Sequence, residues 1–233
     1  MPQDFVIPAP PVPFVPVAGG GRFPVGRIFC VGRNYAEHAR EMGHDPDREA
    51  PFFFAKPASA LVTDDADVPY PPATSDLHFE GELVVALGRG GRDVAPGDAP
   101  ALIWGHAAGN DLTRRDLQAA AKAAGRPWDM AKGFDASAVC GQLHPVAEAG
   151  HPGPGARLTT RVNGALRQET VLGAMIWPVA DVIAFLSGLV RLAPGDLIFT
   201  GTPAGVGALA PGDTCVVEVE GLGAVSTRIA PPA

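Results

Sequence analysis

Leu77-His78-Phe79-Glu80-Gly81-Glu82-Leu83-Val84-Val85 continues through Ala86 and Leu87 to Gly88. Residues 79–87 read as one strand, with Gly88 and Gly90-Gly91 as the turn that follows. Residues two apart on a strand share a face, so Glu80 and Glu82 stand side by side. Two carboxylates that close repel unless a cation or a proton lies between them. The apolar run after Glu82 points into a core, where unpaired charge is costly. A shared metal ion resolves the conflict. A solvated strand face is the plain alternative.

The neighbouring segments extend this pattern. Residues 102–109 form a second apolar segment, and Asp111 follows in Gly109-Asn110-Asp111. A third carboxylate at a strand end completes an all-oxygen set, which suits Mg²⁺, Mn²⁺ or Ca²⁺. Asp111 reads equally as a cap for a helix predicted from about 114 to 124. Thr113 and Asp116 have capping-box-like spacing there, and Gly125 fits the position after the last turn.

Upstream, RIFCVG at 27–32 reads as a short buried strand, and 34–42 as a short helix stopped by Gly43. Residues 52–54 and 60–63 are strand-like. Downstream, a helix is predicted over 178–187, with Pro178 in its first turn and Gly188 at its end. LAPGD at 192–196 and 209–213, and VAPGD at 94–98, read as repeated turn chemistry with Pro-Gly at the centre of a type II turn. Many short strands, Gly/Pro turns and few helices predict a β-rich α+β fold. Residues 1–24 form a Pro/Gly-rich arm and residues 25–233 the domain proper. Five prolines between 8 and 16 favour an extended arm, ended by Gly19-Gly20-Gly21.

Composition limits the function classes. With 46% hydrophobic and 18% charged residues, the 233-residue chain is globular rather than disordered. A net charge of −7 argues against nucleic acid as a partner, because phosphate binding calls for a basic face. No apolar run is long enough to span a bilayer, and the prolines interrupt any signal-like segment. The expectation is a cytoplasmic protein with no membrane partner. Cys30, Cys140 and Cys215 form no CxxC pair and read as small buried apolar residues.

Other side chains with chemical potential are weaker signals singly. His38 and Glu41 are three apart, so they share a face of the predicted short helix. A carboxylate that orients an imidazole makes a general base, although most such pairs are ordinary surface pairs. Lys132, in Met130-Ala131-Lys132-Gly133-Phe134-Asp135, is either a solvated lysine or one buried near anions. Phe199-Thr200-Gly201-Thr202-Pro203 offers hydroxyls and close backbone approach. It lacks the ending of a phosphate-binding loop.

Taken together, CVGRNYAEHAREMG (30–43), PFFFAKP (51–57), SDLHFEGELVVALG (75–88), GNDLTRRDLQ (109–118), GRPWDMAKGFD (125–135), VNG (162–164) with RQ at 167–168, and GDLIFTGTPAGVG (195–207) resemble the fumarylacetoacetate hydrolase superfamily, and most closely its short acylpyruvate and fumarylpyruvate hydrolases. The resemblance implies a mixed β-sandwich roll with a few short helices, usually homodimeric. It implies Glu80, Glu82 and Asp111 as ligands of Mg²⁺, with Mn²⁺ or Ca²⁺ as substitutes. It places Lys132 on the family's active-site lysine and His38 and Glu41 on its water-activating dyad. Arg115, Gln118 and Thr202 align with substrate-contacting positions, and Arg33 is a further candidate to meet a distal carboxylate. Gly81 departs from the pattern, since relatives often carry a larger apolar residue there. Asn110 also replaces a more apolar neighbour, and both changes are expected to loosen the site.

The implied activity is metal-dependent hydrolysis of a carbon–carbon bond in an acylpyruvate, a small anionic 2-oxo acid. The N-terminal arm and the 125–135 segment resemble those of the bacterial fumarylpyruvate hydrolases, and that resemblance implies fumarylpyruvate as the substrate. Oxaloacetate decarboxylation, or isomerisation and decarboxylation in aromatic-acid catabolism, is the alternative within the family. A non-catalytic metal-binding protein of the same fold is the alternative outside it.

Overall fold

The structure is a computed structural model that describes residues 5–37, 50–63 and 66–232. An eight-stranded mixed sheet forms its frame. The order along the sheet is Phe52–Lys56, Arg27–Gly32, Asp196–Phe199, Gly81–Leu87, Ile103–Asp111, Ala138–Cys140 and Leu61–Thr63, with His144–Pro145 pairing off the path to the Ile103–Asp111 strand. A five-stranded sheet lies against it in the order Ala165–Val171, Arg157–Val162, Thr214–Val219, Gly223–Ala230 and Asp67–Pro69. Four short helices are described: Arg115–Ala123, Asp129–Lys132, Val146–Ala149 and Val179–Leu189. The β-rich α+β reading therefore holds, as a curled mixed sheet.

The Gly81–Leu87 strand is buried on both faces, which explains its nearly unbroken apolar run. Leu83, Val85 and Leu87 enter the core shared with Leu158, Val217 and Val225 of the five-stranded sheet. Val84 and Ala86 enter a second core with Ile28, Ala107, Leu197 and Phe199. The even-numbered face thus belongs to the side opposite the five-stranded sheet, and Glu82 lies on it.

The single strand expected over 79–87 is two. Leu77–Phe79 pairs with Thr113–Arg114 and Gly207–Leu209 in a small three-stranded sheet. Gly81–Leu87 pairs with Ile103–Asp111 and Asp196–Phe199 in the large one. Glu80 sits at the break. The helix predicted over 178–187 runs from Val179 to Leu189, so Gly188 lies inside it. Packing of Val182, Ile183 and Leu186 into the core carries the helix past the glycine.

The Pro-Gly turns divide. Ala193–Asp196 and Ala210–Asp213 close with backbone bonds, and Gly195 and Gly212 take φ of +91° and +96°, as type II turns require. Ala95–Asp98 closes the same way, but Gly97 is not in the left-handed region and a short 3₁₀ turn follows. Part of the N-terminal arm is built into the domain. Phe14–Pro16 pairs with Arg22–Pro24, and Val15 and Phe23 are buried in the second core. Cys30, Cys140 and Cys215 are buried, as expected of small apolar side chains. No helix among the described residues is long and apolar enough to cross a membrane.

Candidate active site

Glu80, Glu82 and Asp111 come together where the large sheet meets the small one. Their carboxylate oxygens lie within 4.8 Å of one another and all three residues are buried. The backbone fixes this placement twice over. Asp111 N–H donates to Glu80 O at 2.9 Å, and Glu80 N–H donates to the Asn110 side-chain oxygen at 3.0 Å. Asn110 is fully buried and also donates toward Thr227 Oγ1 at 3.4 Å. The polar residue expected to loosen the site is therefore a clamp on it.

Gly81 is a packing necessity. A Cβ there would lie 2.1 Å from Thr160 Oγ1 and 3.2 Å from Val217 Cγ1, both on the five-stranded sheet. The missing side chain lets the two sheets close behind the glutamates, so this departure also tightens the site. Gly81 N–H donates to Gln168 Oε1 at 3.1 Å, and Gln168 donates to Thr202 Oγ1 and Pro203 O, both at 2.8 Å. Thr202 in turn donates to Gly81 O at 3.0 Å. The 199–203 loop is thereby tied to the strand that carries Glu82. Gly201, at φ +98°, donates its N–H to Glu82 Oε2 at 2.7 Å.

Cations balance the carboxylates. Lys132 Nζ lies 2.7 Å from Glu80 Oε2 and 2.8 Å from Asp111 Oδ2. Lys56 Nζ lies 2.7 Å from Asp111 Oδ1, donates to Leu112 O at 3.0 Å, and bonds Lys132 O. Arg115 reaches Glu80 Oε1 and Gln118 Oε1, each at 2.5 Å. Burial pushes the Glu82 carboxyl well above its ordinary range, and Asp111 and Glu80 add to the rise. Burial lowers Lys56 against the pull of Asp111. For Lys132 burial also opposes the charge, yet Asp111 and Glu80 outweigh it and raise the amine. These cations contact Glu80 and Asp111, whereas Glu82 is met by the Gly201 N–H, and the all-oxygen set of three acids fits a hard divalent ion.

The site opens into a cavity of about 460 Å³. Glu80, Glu82, Lys132, Arg115, Gln118, Thr202 and Arg33 line it. Asn34 anchors the approach to it, donating to Trp177 O at 2.9 Å and Thr200 O at 2.8 Å and accepting Trp177 N–H at 2.7 Å. Arg33, just before, takes φ +58°. His38 and Glu41 lie outside the described residues, as does most of the 34–42 helix.

The expectation that Asp111 caps a helix is not met: its carboxylate goes to the two lysines. The Thr113–Asp116 capping box is not formed either. The helix begins at Arg115, and Asp116 instead accepts from Thr74 Oγ1 at 2.6 Å and Ser75 N–H at 3.0 Å. Lys56 and Gln168 escaped sequence reading as parts of the site. For Lys56 the one usable signal is a lysine directly after Phe52-Phe53-Phe54-Ala55 and before Pro57.

A curled mixed sheet with an acid-lined, lysine-bridged cavity defines a class of protein with a buried acidic site whose donor set suits a divalent ion. Residues 27–230 match the family described as fumarylacetoacetate (FAA) hydrolase C-terminal, and the chain belongs to it. It is 43% identical to a fumarylpyruvate hydrolase of a Ralstonia species over 196 residues, 82% of this chain and 99% of that one. It is 37% identical to an oxaloacetate tautomerase of Escherichia coli over 207 residues, covering 89% and 94%. The crystal structure of a Pseudomonas aeruginosa fumarylpyruvate hydrolase, in complex with Mn²⁺ and pyruvate, superposes with a TM-score of 0.94 at 45% identity, covering 98% of this chain and all of that one.

Proposed function

We propose that this protein is a divalent-metal-dependent acylpyruvate hydrolase that converts fumarylpyruvate to fumarate and pyruvate, with Mg²⁺ as its ion and a homodimer as its assembly. One observation carries the proposal: the buried Glu80–Glu82–Asp111 cluster, with Lys132 across it, faces a cavity of substrate size. The chain that carries this cluster is 43% identical to a fumarylpyruvate hydrolase, which supports the choice of substrate.

An ion held by the three carboxylates would supply Lewis acidity toward the carboxylate and 2-oxo oxygens of the substrate. The protein's own groups do the rest. Gln118 and Thr202 orient the substrate within the cavity. His38, oriented by Glu41, takes a proton from water, and the water oxygen adds to the distal carbonyl carbon. The bond from that carbon to the neighbouring methylene breaks. Its electron pair leaves on the methylene carbon as the enolate of pyruvate, and the proton on His38 is delivered to that methylene carbon, which becomes the methyl group of pyruvate. Lys132 and Arg115 hold positive charge beside the developing enolate.

The Escherichia coli relative supports a second reading, oxaloacetate tautomerisation, which needs enolate stabilisation but no attacking water. Fumarylpyruvate and oxaloacetate assayed in parallel with Mg²⁺ separate the two. Release of fumarate and pyruvate in equal amounts is expected. Enol–keto exchange of oxaloacetate without any release from fumarylpyruvate would favour the second reading.

A further inference from the structure

Asp76, His78 and Glu80 stand at alternate positions of one stretch, the spacing that sets side chains on one face of an extended chain. Leu77 and Phe79, between them, are buried in the core. On the neighbouring strand Thr113 pairs with His78 and Arg114 with Leu77, and the Arg115 N–H donates to Asp76 O at 2.8 Å. This register carries the Arg115 side chain across to His78 and Glu80. His78 Nε2 lies 2.9 Å from Asp76 Oδ1, Arg115 Nε donates to His78 Nδ1 at 3.3 Å, and Arg115 Nη2 donates to Glu80 Oε1 at 2.5 Å. A chain of four polar side chains therefore runs from partly exposed Asp76 to the buried acids. Asp116, next to Arg115, holds the start of the same stretch through Thr74 and Ser75.

The partners assign the imidazole. A guanidinium N–H only donates, so His78 Nδ1 is the bare nitrogen, and a carboxylate accepts, so Nε2 carries the hydrogen. With its tautomer set by Asp76, His78 offers Arg115 a fixed acceptor. Arg115 Nη1 donates to Gln118 Oε1 at 2.5 Å. Three of the five N–H donors of Arg115 are thus held by three different residues. One donor is left on each terminal nitrogen for a ligand in the cavity that Arg115 lines. Of the three anchors, only His78 holds Nε, the nitrogen next to the side-chain stem. Without it the plane of the guanidinium is free to swing about its terminal contacts. We propose that His78 is a positioning residue that fixes the Arg115 guanidinium for the 2-oxo acid group. This rests on the hydrolase reading, in which Arg115 stands beside the reacting group, and deepens it.

The test measures binding of oxalate, a planar dianion like the enolate of pyruvate, to Mn²⁺-saturated protein by calorimetry. His78→Phe keeps a ring and removes both nitrogens. Loss of one hydrogen bond to a charged group predicts binding weaker by about tenfold. His78→Asn returns an acceptor near the Nδ1 position and should recover most of that loss. Arg115→Met should weaken binding at least as much as His78→Phe does. Adding His78→Phe to it should cost less than about twofold more, because the pair acts as one. A His78 that served only the fold would lower the melting temperature and leave the two losses independent. Unchanged oxalate affinity in His78→Phe, independent losses in the double variant, or His78→Asn no better than His78→Phe overturns the proposal. So does wild-type protein that binds no oxalate. Pyruvate release from fumarylpyruvate is measured on the same samples. No release from the wild type with the coupling intact would defeat the hydrolase reading and leave the positioning role standing. Release with independent losses would do the reverse.

Discussion

Gly81→Ala probes how the two sheets hold the strand between Glu80 and Glu82. The added Cβ would meet Thr160 Oγ1 at 2.1 Å, Gln168 Oε1 at 3.1 Å and Val217 Cγ1 at 3.2 Å. Relieving the first contact requires the sheets to part by about 1 Å, and all three partners are buried, so nothing yields cheaply. Overpacking of this kind costs about 1–3 kcal/mol, and the clash here belongs at the upper end. Replacing glycine in a strand returns roughly 0.5–1 kcal/mol of chain entropy, leaving a net loss of about 2 kcal/mol. For a domain of this size that lowers the melting temperature by about 4–8 °C. Because Glu80 and Glu82 flank the glycine, the same displacement should weaken Mn²⁺ binding measured by calorimetry. Thr160→Ala removes the nearest atom, a buried hydroxyl without a hydrogen-bond partner among the described residues. In that background Gly81→Ala should cost less than about 1 kcal/mol, a coupling that a double-mutant cycle resolves. A Gly81→Ala protein that melts with the wild type and binds Mn²⁺ equally well would refute the sheet-closure reasoning. So would a clash that Thr160→Ala fails to relieve.

Four further substitutions test the structure. Glu82→Ala should abolish calorimetric Mn²⁺ binding and pyruvate release together, whereas His38→Ala should keep the ion and lose hydrolysis; a His38→Ala enzyme of normal rate would remove the dyad from the mechanism. Lys56→Met should destabilise the fold by about 3 kcal/mol or more in denaturant melts, since it leaves buried Asp111 short of a cation. His106, buried and 3.0 Å from His151, is held down to about 4 by burial and then by the charge of its neighbour. The unfolded chain takes up a proton at His106 below about pH 6.5 while the folded chain does so only near pH 4, so this contribution leaves stability intact above 6.5 and lost as pH falls toward 4. The loss is on the order of 2–3 kcal/mol, and His106→Gln should flatten it in melts between pH 7.5 and 4.5, measured in steps of about half a pH unit.

The clustering of Glu80 and Glu82 was legible in the sequence for a simple reason. Period-two spacing of Glu80 and Glu82 and the apolar run behind them are local properties. So are the Pro-Gly turns at 194–195 and 211–212. The break at Glu80 was not legible, because nothing in residues 77–87 says that Phe79 pairs with Gly207 while Gly81 pairs with Asn110. Partner choice of that kind is decided by segments thirty to one hundred and thirty residues away. Lys56 was hidden for the same reason. Its carbonyl partners, Leu112 and Lys132, and its carboxylate partner, Asp111, come from distant stretches of chain. A lysine reads as solvated until those partners are seen to converge. Gly81 and Asn110 were misjudged because their effect depends on Thr160, Val217 and Thr227 across the interface between sheets.

The central claim is that Glu80, Glu82 and Asp111 hold the ion on which acylpyruvate cleavage depends. It is tested most directly by stripping the protein with chelator, titrating Mg²⁺ or Mn²⁺ back, and recording binding and pyruvate release from fumarylpyruvate on the same samples. Release should be absent without the ion and rise in step with occupancy of one site per chain. Stripped protein that releases pyruvate at the restored rate, or fully loaded protein that releases none, would contradict the claim.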